Sequence, residues 1–290
     1  MITFQRILFP VDFSKQDYEV APFVKAMASR FQSEVTLLHV VDSVPAWQGG
    51  VEPEASQPVF DLVTLMKERR KRLCRHLSDG LAGLRVNRTV ELGDPTMEIA
   101  KCVRERRIDL IMMPTHGYGP FRRFLLGSVT AKVLHDTDCP VWTGVHTDQL
   151  WSQKQYQWRR FLCAVDADPK DAELLRWAVQ FASEQNADLQ VVHAMHESAP
   201  MLAARDSSSI RDFLLDTTHQ RLDKLQSDAG THLEIQVRLG RVGNVVRDAA
   251  AAHEADLVII GRGLIQQMLG RLRSEAYTII REAPCPVISI

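Results

Sequence analysis

Cysteine is scarce and never paired. Five thiols in 290 residues, Cys74, Cys102, Cys139, Cys163 and Cys285, are odd in number, far apart and form no C-x-x-C. That spacing excludes a disulfide framework and a structural zinc site, and predicts buried, inert thiols. Charge of one sign is missing as well, with 35 Lys and Arg against 36 Asp and Glu. Such a balance argues against a basic nucleic-acid binder. No apolar run approaches the roughly 18 residues that span a bilayer, and the first ten residues meet Asp12 before they make a signal-peptide core. A soluble, cytoplasmic chain with no membrane partner is the expectation. Apolar residues at 45% and charged residues at 24% carry no disordered or coiled-coil signature. At about 150 residues per domain, the length predicts two domains, each able to bury a core.

What is present is written twice. Arg6-Ile-Leu-Phe-Pro-Val-Asp12 recurs as Arg160-Phe-Leu-Cys-Ala-Val-Asp166, and Glu34-Val-Thr-Leu-Leu-His39 as Asp188-Leu-Gln-Val-Val-His193, both 154 residues later. Asp109-Leu-Ile-Met-Met113 returns as Asp256-Leu-Val-Ile-Ile260 after 147, and Cys139-Pro-Val141 as Cys285-Pro-Val287 after 146. The first shortening falls where copy one carries Trp47-Gln-Gly-Gly50 and Pro53, the last in a glycine loop. Domains at 1–147 and 158–290, joined by a polar linker at 148–157 that contains Trp151 and Tyr156, are the expected organisation.

Within each copy, short unbroken apolar runs such as Ile108–Met113 and Leu257–Ile260 read as parallel strands covered on both faces. Val20, Phe23, Val24, Met27 and Phe31 fall at helical spacing, as do Leu174, Leu175, Ala178, Phe181 and Ala182. Asp94-Pro95 reads as a helix start, with Asp as N-cap and Pro in the first turn. The pattern is β-α-β-α-β-α-β-α-β in each copy, an α/β fold of two doubly wound parallel five-stranded sheets with strand order 3-2-1-4-5. In that order a ligand belongs between the carboxyl ends of the first and fourth strands.

The first strands end at Asp12 and Asp166, whose carboxylates suit ribose hydroxyls or an adenine amino group, or equally the cap of the next helix. The fourth strand of copy one runs into Pro114-Thr-His-Gly117, and nine residues later into Gly127-Ser128-Val-Thr130 ahead of a helix. Free amides at a helix N-terminus, with the Ser128 and Thr130 hydroxyls, make an anion site.

Pro-Val-Asp after strand one, Leu-His-Val at the end of strand two, and a glycine loop closing on Leu-Leu-Gly-Ser-Val-Thr resemble the universal stress protein family. The likeness extends over both copies, as in tandem-domain members. It implies a Rossmann-like fold of the adenine-nucleotide-binding type, with ATP as cofactor, possible Mg²⁺ on its phosphates, and the copies paired as an intrachain pseudo-dimer through their last strands. ATP-binding members carry G-x2-G-x9-G-[ST]. Copy one matches it at Gly117, Gly127 and Ser128 and places Pro114 at the first glycine. The resemblance sets Pro10, Val11 and Asp12 against the nucleoside and Val40 and Met113 at the adenine. Pro114 and His116 join them in the loop, while Gly117, Gly127, Ser128, Val129 and Thr130 hold the phosphates. Proline has no N–H, so a contact donated by that glycine is lost, whereas one made through its carbonyl or surface survives.

Copy two departs further. Gly261-Arg262-Gly263 is one residue shorter, and nine residues on stands Arg273, followed by Ser274. Val165, Asp166, Gly261, Gly263, Arg273 and Ser274 outline a degenerate site, in which Arg273 either blocks a triphosphate or fills an anion position itself. No G-x-S-x-G, Walker lysine, general base or metal-ligand spacing is present, so no catalytic or metal residue is assigned and at most weak ATP hydrolysis is expected. His39 and His193 read as packed, hydrogen-bonded histidines. The basic run Lys67–Arg72 reads as the solvated face of an amphipathic helix whose apolar side is Leu62, Leu65, Met66, Leu73 and Leu77. The expected role is a stress-response module that binds ATP in copy one and acts as a regulator or adaptor, with a homodimer and an unnamed protein partner. The alternative is an interaction scaffold that binds no nucleotide, and a third reading is a slow ATPase or nucleotide-transforming enzyme.

Overall fold

A computed structural model describes residues 1–42, 59–115, 126–144, 158–195, 207–261 and 273–290. Two compact units emerge, one of Thr3–Gly144 and one of Met1–Ile2 with Val145–Ile290. The first runs β1 (Arg6–Pro10), α1 (Lys15–Phe31), β2 (Glu34–Val41), α2 (Val59–Arg75), β3 (Arg85–Leu92), α3 (Pro95–Arg106), β4 (Leu110–Met113), α4 (Ser128–Asp136) and β5 (Val141–Thr143). Its strands are parallel and lie in the order β3-β2-β1-β4-β5. Ile7, Leu8 and Phe9 of β1 and Leu110, Ile111 and Met112 of β4 are sealed from solvent, as a strand covered on both faces requires.

Helix α1 buries Val20, Phe23, Val24 and Met27 at intervals of three and four, while Phe31 is half-buried. The α3 start follows its sequence signal. The Asp94 carboxylate accepts from the Thr96 and Met97 amides at 2.9 and 3.0 Å, with Pro95 in the first turn. Those two amides also hold its carboxyl below the ordinary range, the Met97 contact being the stronger.

The second unit repeats the plan with β6 (Arg160–Val165), α5 (Asp171–Gln185), β7 (Asp188–Met195), α6 (Ser207–Ala229), β8 (Ile235–Leu239), α7 (Val242–Ala252), β9 (Leu257–Ile260), α8 (Arg273–Glu282) and β10 (Val287–Ser289). Its parallel order, β8-β7-β6-β9-β10, is again 3-2-1-4-5. Leu174, Leu175, Ala178, Phe181 and Ala182 of α5 are all buried. The repeat reaches the backbone torsions. The residue after each first-strand aspartate is left-handed, Phe13 at φ 64° and Ala167 at φ 54°. Such a conformation is uncommon for a side chain larger than glycine and persists only where its surroundings enforce it.

Four cysteines are buried as the sequence suggests, and burial pushes the Cys163 and Cys285 thiols far up, which keeps them inert. Cys74 differs: it lies on the outer side of α2 and is exposed. On the same helix Leu73 is buried and Leu62 is exposed, so the apolar side of α2 is packed only toward its C-terminal end. No helix among the described residues is long and apolar enough to cross a membrane.

Candidate functional site

The β1 and β4 ends diverge where the strand order reverses, and a cavity of about 260 Å³ opens there in the first unit. Ten of the residues selected from the sequence line it: Pro10, Val11, Asp12, Val40, Met113, Pro114, Gly127, Ser128, Val129 and Thr130. His116 and Gly117 lie outside the described residues. Sequence reasoning missed five further lining residues, Asp17, Leu38, His39, Pro95 and Ile99. Pro95 and Ile99 come from the first turns of α3, and the recognised cap at Asp94 was the signal that could have placed them.

The walls divide the cavity by chemistry. Val11, Leu38, Val40, Ile99 and Met113 form an apolar side suited to a flat ring system. Opposite stands the N-terminus of α4, capped by Gly127, whose first-turn amides have no intrahelical acceptor. The turn is fixed locally. Gly127 N–H donates to the Thr115 carbonyl at 2.8 Å, and Thr130 Oγ1–H donates to the Pro114 carbonyl at 3.1 Å. Pro114 therefore contributes surface to the cavity, and its carbonyl is used inside the protein.

Asp12 is exposed at the cavity and caps nothing in α1. Its Oδ1 accepts from the Ser14 amide at 2.9 Å, closing a turn, and Ser14 is the N-cap residue. The adjoining loop is fastened from below. His39 Nδ1–H donates to the Val11 carbonyl at 2.9 Å, and His193 makes the same bond to Val165 at 2.9 Å, so both histidines have the packed role expected of them. Burial holds His39 below its ordinary range, and the positive charges of Arg69 and Arg72 add to the effect. The Phe13 ring stacks near His39, 4.2 Å between centroids, under the Arg72 guanidinium at 4.2 Å. The basic run is largely exposed, as a solvated face requires, and Arg72 in addition covers the Phe13 ring.

Among its described residues, copy two shows a much smaller pocket at the same place. Ala164, Val165, Asp166, Val192, Ala194, Val242 and Val246, the counterparts of seven lining residues, enclose only about 10 Å³. Gly261 stands where copy one has Pro114. A Cβ there would lie 3.1 Å from Leu174 and 3.3 Å from the Asp171 carboxylate, so the glycine lets α5 close onto the end of β9. Leu174 also replaces the smaller Val20. Gly263 and the side chains of Arg273 and Ser274 lie outside the described residues, as do Arg262 and the linker 148–157; the backbone of α8 begins at Arg273.

Closure concentrates acid in copy two. Asp171 accepts from the Asp166 amide at 2.6 Å, and burial pushes its carboxyl up to about 6, with Asp166 and Asp168 adding like charge. Burial also raises Asp166. Because the folded state binds the Asp171 proton more tightly than the unfolded chain, this group's contribution to stability is full below about pH 4. It falls as pH rises to about 6 and stays low above. Asp171→Asn keeps an acceptor for the Asp166 amide without the charge. Urea melts should show it more stable than the parent at pH 7 by roughly 1–3 kcal/mol, with no difference near pH 4. Equal gains at both pH values would mean that the carboxylate charge is not what the fold is working against.

The model of the universal stress protein family matches residues 3–143 and again 157–290. Among curated proteins, two universal stress proteins of Methanocaldococcus jannaschii are similar. One is 29% identical over 154 residues, covering 48% of this chain and 94% of the relative; the other is 30% identical over 141 residues, covering 48% and 80%. Each of these relatives thus corresponds to about half of this chain. Among solved structures, a universal stress protein from Archaeoglobus fulgidus aligns over 100% of this chain and 97% of its own with a TM-score of 0.68 at 19% identity, a likeness of fold.

Proposed function

We propose that this chain, which belongs to the universal stress protein family, binds an adenine nucleotide, ATP, in its first copy and acts in a stress response as a regulatory or adaptor module. The observation that carries the reading is the contrast between the copies. Among the described residues, this fold position is a cavity of about 260 Å³ in the first copy, while seven counterpart residues in the second line about 10 Å³. In the first, an apolar wall faces the purine, Asp12 faces the ribose, and the α4 amides with Ser128 and Thr130 face the phosphates. Magnesium, where it takes part, rides on the phosphates with Asp12 at most as a protein ligand, the usual manner of that ion. We assign no residue a catalytic role.

Copy two, closed and acidic, is the structural half of the pair and takes no ATP. Its closure favours the scaffold reading for that half alone. The domain limits 1–147 and 158–290, pairing of the copies through their last strands, a cytoplasmic location, a homodimer and a protein partner belong to the same proposal. Sedimentation tests the dimer by a mass twice 32.8 kDa.

Mass spectrometry of small molecules released from denatured, freshly purified protein, followed by ATP titration calorimetry, tests the reading. One adenine nucleotide per chain is expected. Two per chain would overturn the assignment of copy two, and no binding up to millimolar ATP would overturn the nucleotide reading and leave the scaffold in its place.

A further inference from the structure

The two copies carry one aspartate in two different positions. Asp17 and Asp171 occupy the same place in the first turns of α1 and α5, behind the same left-handed residue. In copy two the carboxylate accepts from the Asp166 amide of the first-strand loop at 2.6 Å, and the pocket that the described residues line beside it holds only about 10 Å³. In copy one the carboxylate has a different partner. Asp17 Oδ2 accepts from His76 Nε2–H at 2.8 Å, and His76 Nδ1 faces the Tyr18 hydroxyl at 3.4 Å. Asp17 is fully buried, and its Oδ1 is sealed without a hydrogen-bond partner among the described residues, while the Phe13 amide helps to hold its charge. The Asp12 amide, counterpart of the one that Asp171 holds, has no acceptor among the described residues.

From this contrast we infer that His76 is a positioning residue for the first copy's site. It withdraws Asp17 from the Asp12 N–H and leaves that donor, at the cavity, for an acceptor atom of the ligand. The backbone supports the comparison. Phe13 and Ala167 share one conformation, and His39 and His193 fasten the preceding carbonyl identically, so the Asp12 N–H faces the Asp17 side of the loop as the Asp166 N–H faces Asp171. The drive is physical. A buried carboxylate oxygen needs a donor, and two compete for it, the loop amide and the imidazole. His76 is packed for the task, edge-on to Phe13 and Tyr18 at 5.1 Å from each. In copy two no histidine among the described residues bonds Asp171; the helix α6 meets the loop through Arg221, which donates to the Ala167 carbonyl at 3.1 Å. The amide therefore wins there.

The inference rests on the nucleotide reading for the identity of the ligand, and its test separates the two. The probe is ATP, and the variants are His76→Leu, Asp17→Ala and the double substitution, each checked for a cooperative melt. His76→Leu frees Asp17 to close on the Asp12 amide and should weaken ATP binding about tenfold or more. Asp17→Ala has no carboxylate to swing, so the double variant should recover the affinity of Asp17→Ala alone. A structural role for His76 gives the opposite result, a double variant at least as weak as His76→Leu, and overturns the inference. Hydrogen exchange of the Asp12 amide, followed by NMR without nucleotide, is the second readout. It should be fast in the parent and slowed in His76→Leu toward the rate of the Asp166 amide. Unchanged exchange overturns the inference even if ATP binds. Slowed exchange in a protein that binds no ATP upholds it and sinks the nucleotide reading alone.

Discussion

If the first copy binds ATP as proposed, replacing Gly127 by leucine should abolish that binding, with affinity falling at least about 100-fold, a loss of roughly 2.7 kcal/mol or more. Gly127 lines the cavity at the cap of α4, where the proposed reading puts the phosphates, so a bulky side chain there is expected to compete with them. The loss is not one of folding. Its backbone, at φ −61° and ψ 144°, is ordinary extended geometry open to every residue, and a leucine cap costs α4 only about 1 kcal/mol. Gly127→Arg then separates bulk from charge, because arginine stands at the corresponding position, Arg273, of copy two. Steric exclusion predicts that arginine is as damaging as leucine. If Gly127→Arg instead keeps measurably tighter ATP binding than Gly127→Leu, the guanidinium neutralises phosphate, and Arg273 acquires the same role. The converse substitution, Arg273→Gly, should give copy two no ATP binding, since its floor is already closed by Val242, Leu174 and the Asp171–Asp166 bond. Calorimetry of the three variants decides the matter. Near-parental affinity in Gly127→Leu would remove the α4 terminus from the site.

The sequence carried the parts of this arrangement that repeat and the parts with local chemistry. Two strand-one signatures 154 residues apart announced a doubled chain, and Asp94-Pro95 announced α3, because a cap is decided by residues adjacent in sequence. The position of the site followed from topology alone, since strand order fixes where the sheet opens. What escaped were consequences of packing across distance. Pro95 and Ile99 reach the cavity only because α3 crosses the end of β2 and β1. Asp17 meets His76 across 59 residues, and no spacing rule links an acid in one helix to an imidazole just past the end of the next. The difference between the copies was legible at the glycine loop, yet the loop is only part of its cause. Complementary exchanges, Pro114 for Gly261 and Val20 for Leu174, decide whether α1 or its counterpart closes on the sheet. Such exchanges conserve volume between partners remote in sequence and leave no periodicity to read. Arg72 makes the same point: it is exposed, as the basic run reads, and its contact with the Phe13 ring left no signal in the sequence.

Trp142 is where the largest loss of stability is expected. It sits in β5, paired with Met112 of β4, is fully sealed from solvent, and lies 4.9 Å from the Phe23 ring at 46°. Trp142→Ala removes the largest fully buried side chain among the described residues, at a place packed against α1 and β4. The cost is about 3–5 kcal/mol, a large share of the roughly 5–15 kcal/mol that holds a domain together. One feature works the other way: the indole Nε1–H is buried without an acceptor, which already costs the parent protein. Trp142→Phe keeps an aromatic ring against Phe23 and abolishes the unpaired donor, so lost volume and relieved desolvation oppose each other. It should cost well under half of the alanine variant. Urea midpoints at constant m-value, followed by circular dichroism, measure both. Equal losses in the two variants would show that a smaller ring recovers nothing there, so that neither packing volume nor relief of the unpaired indole N–H sets the stability at the end of β5.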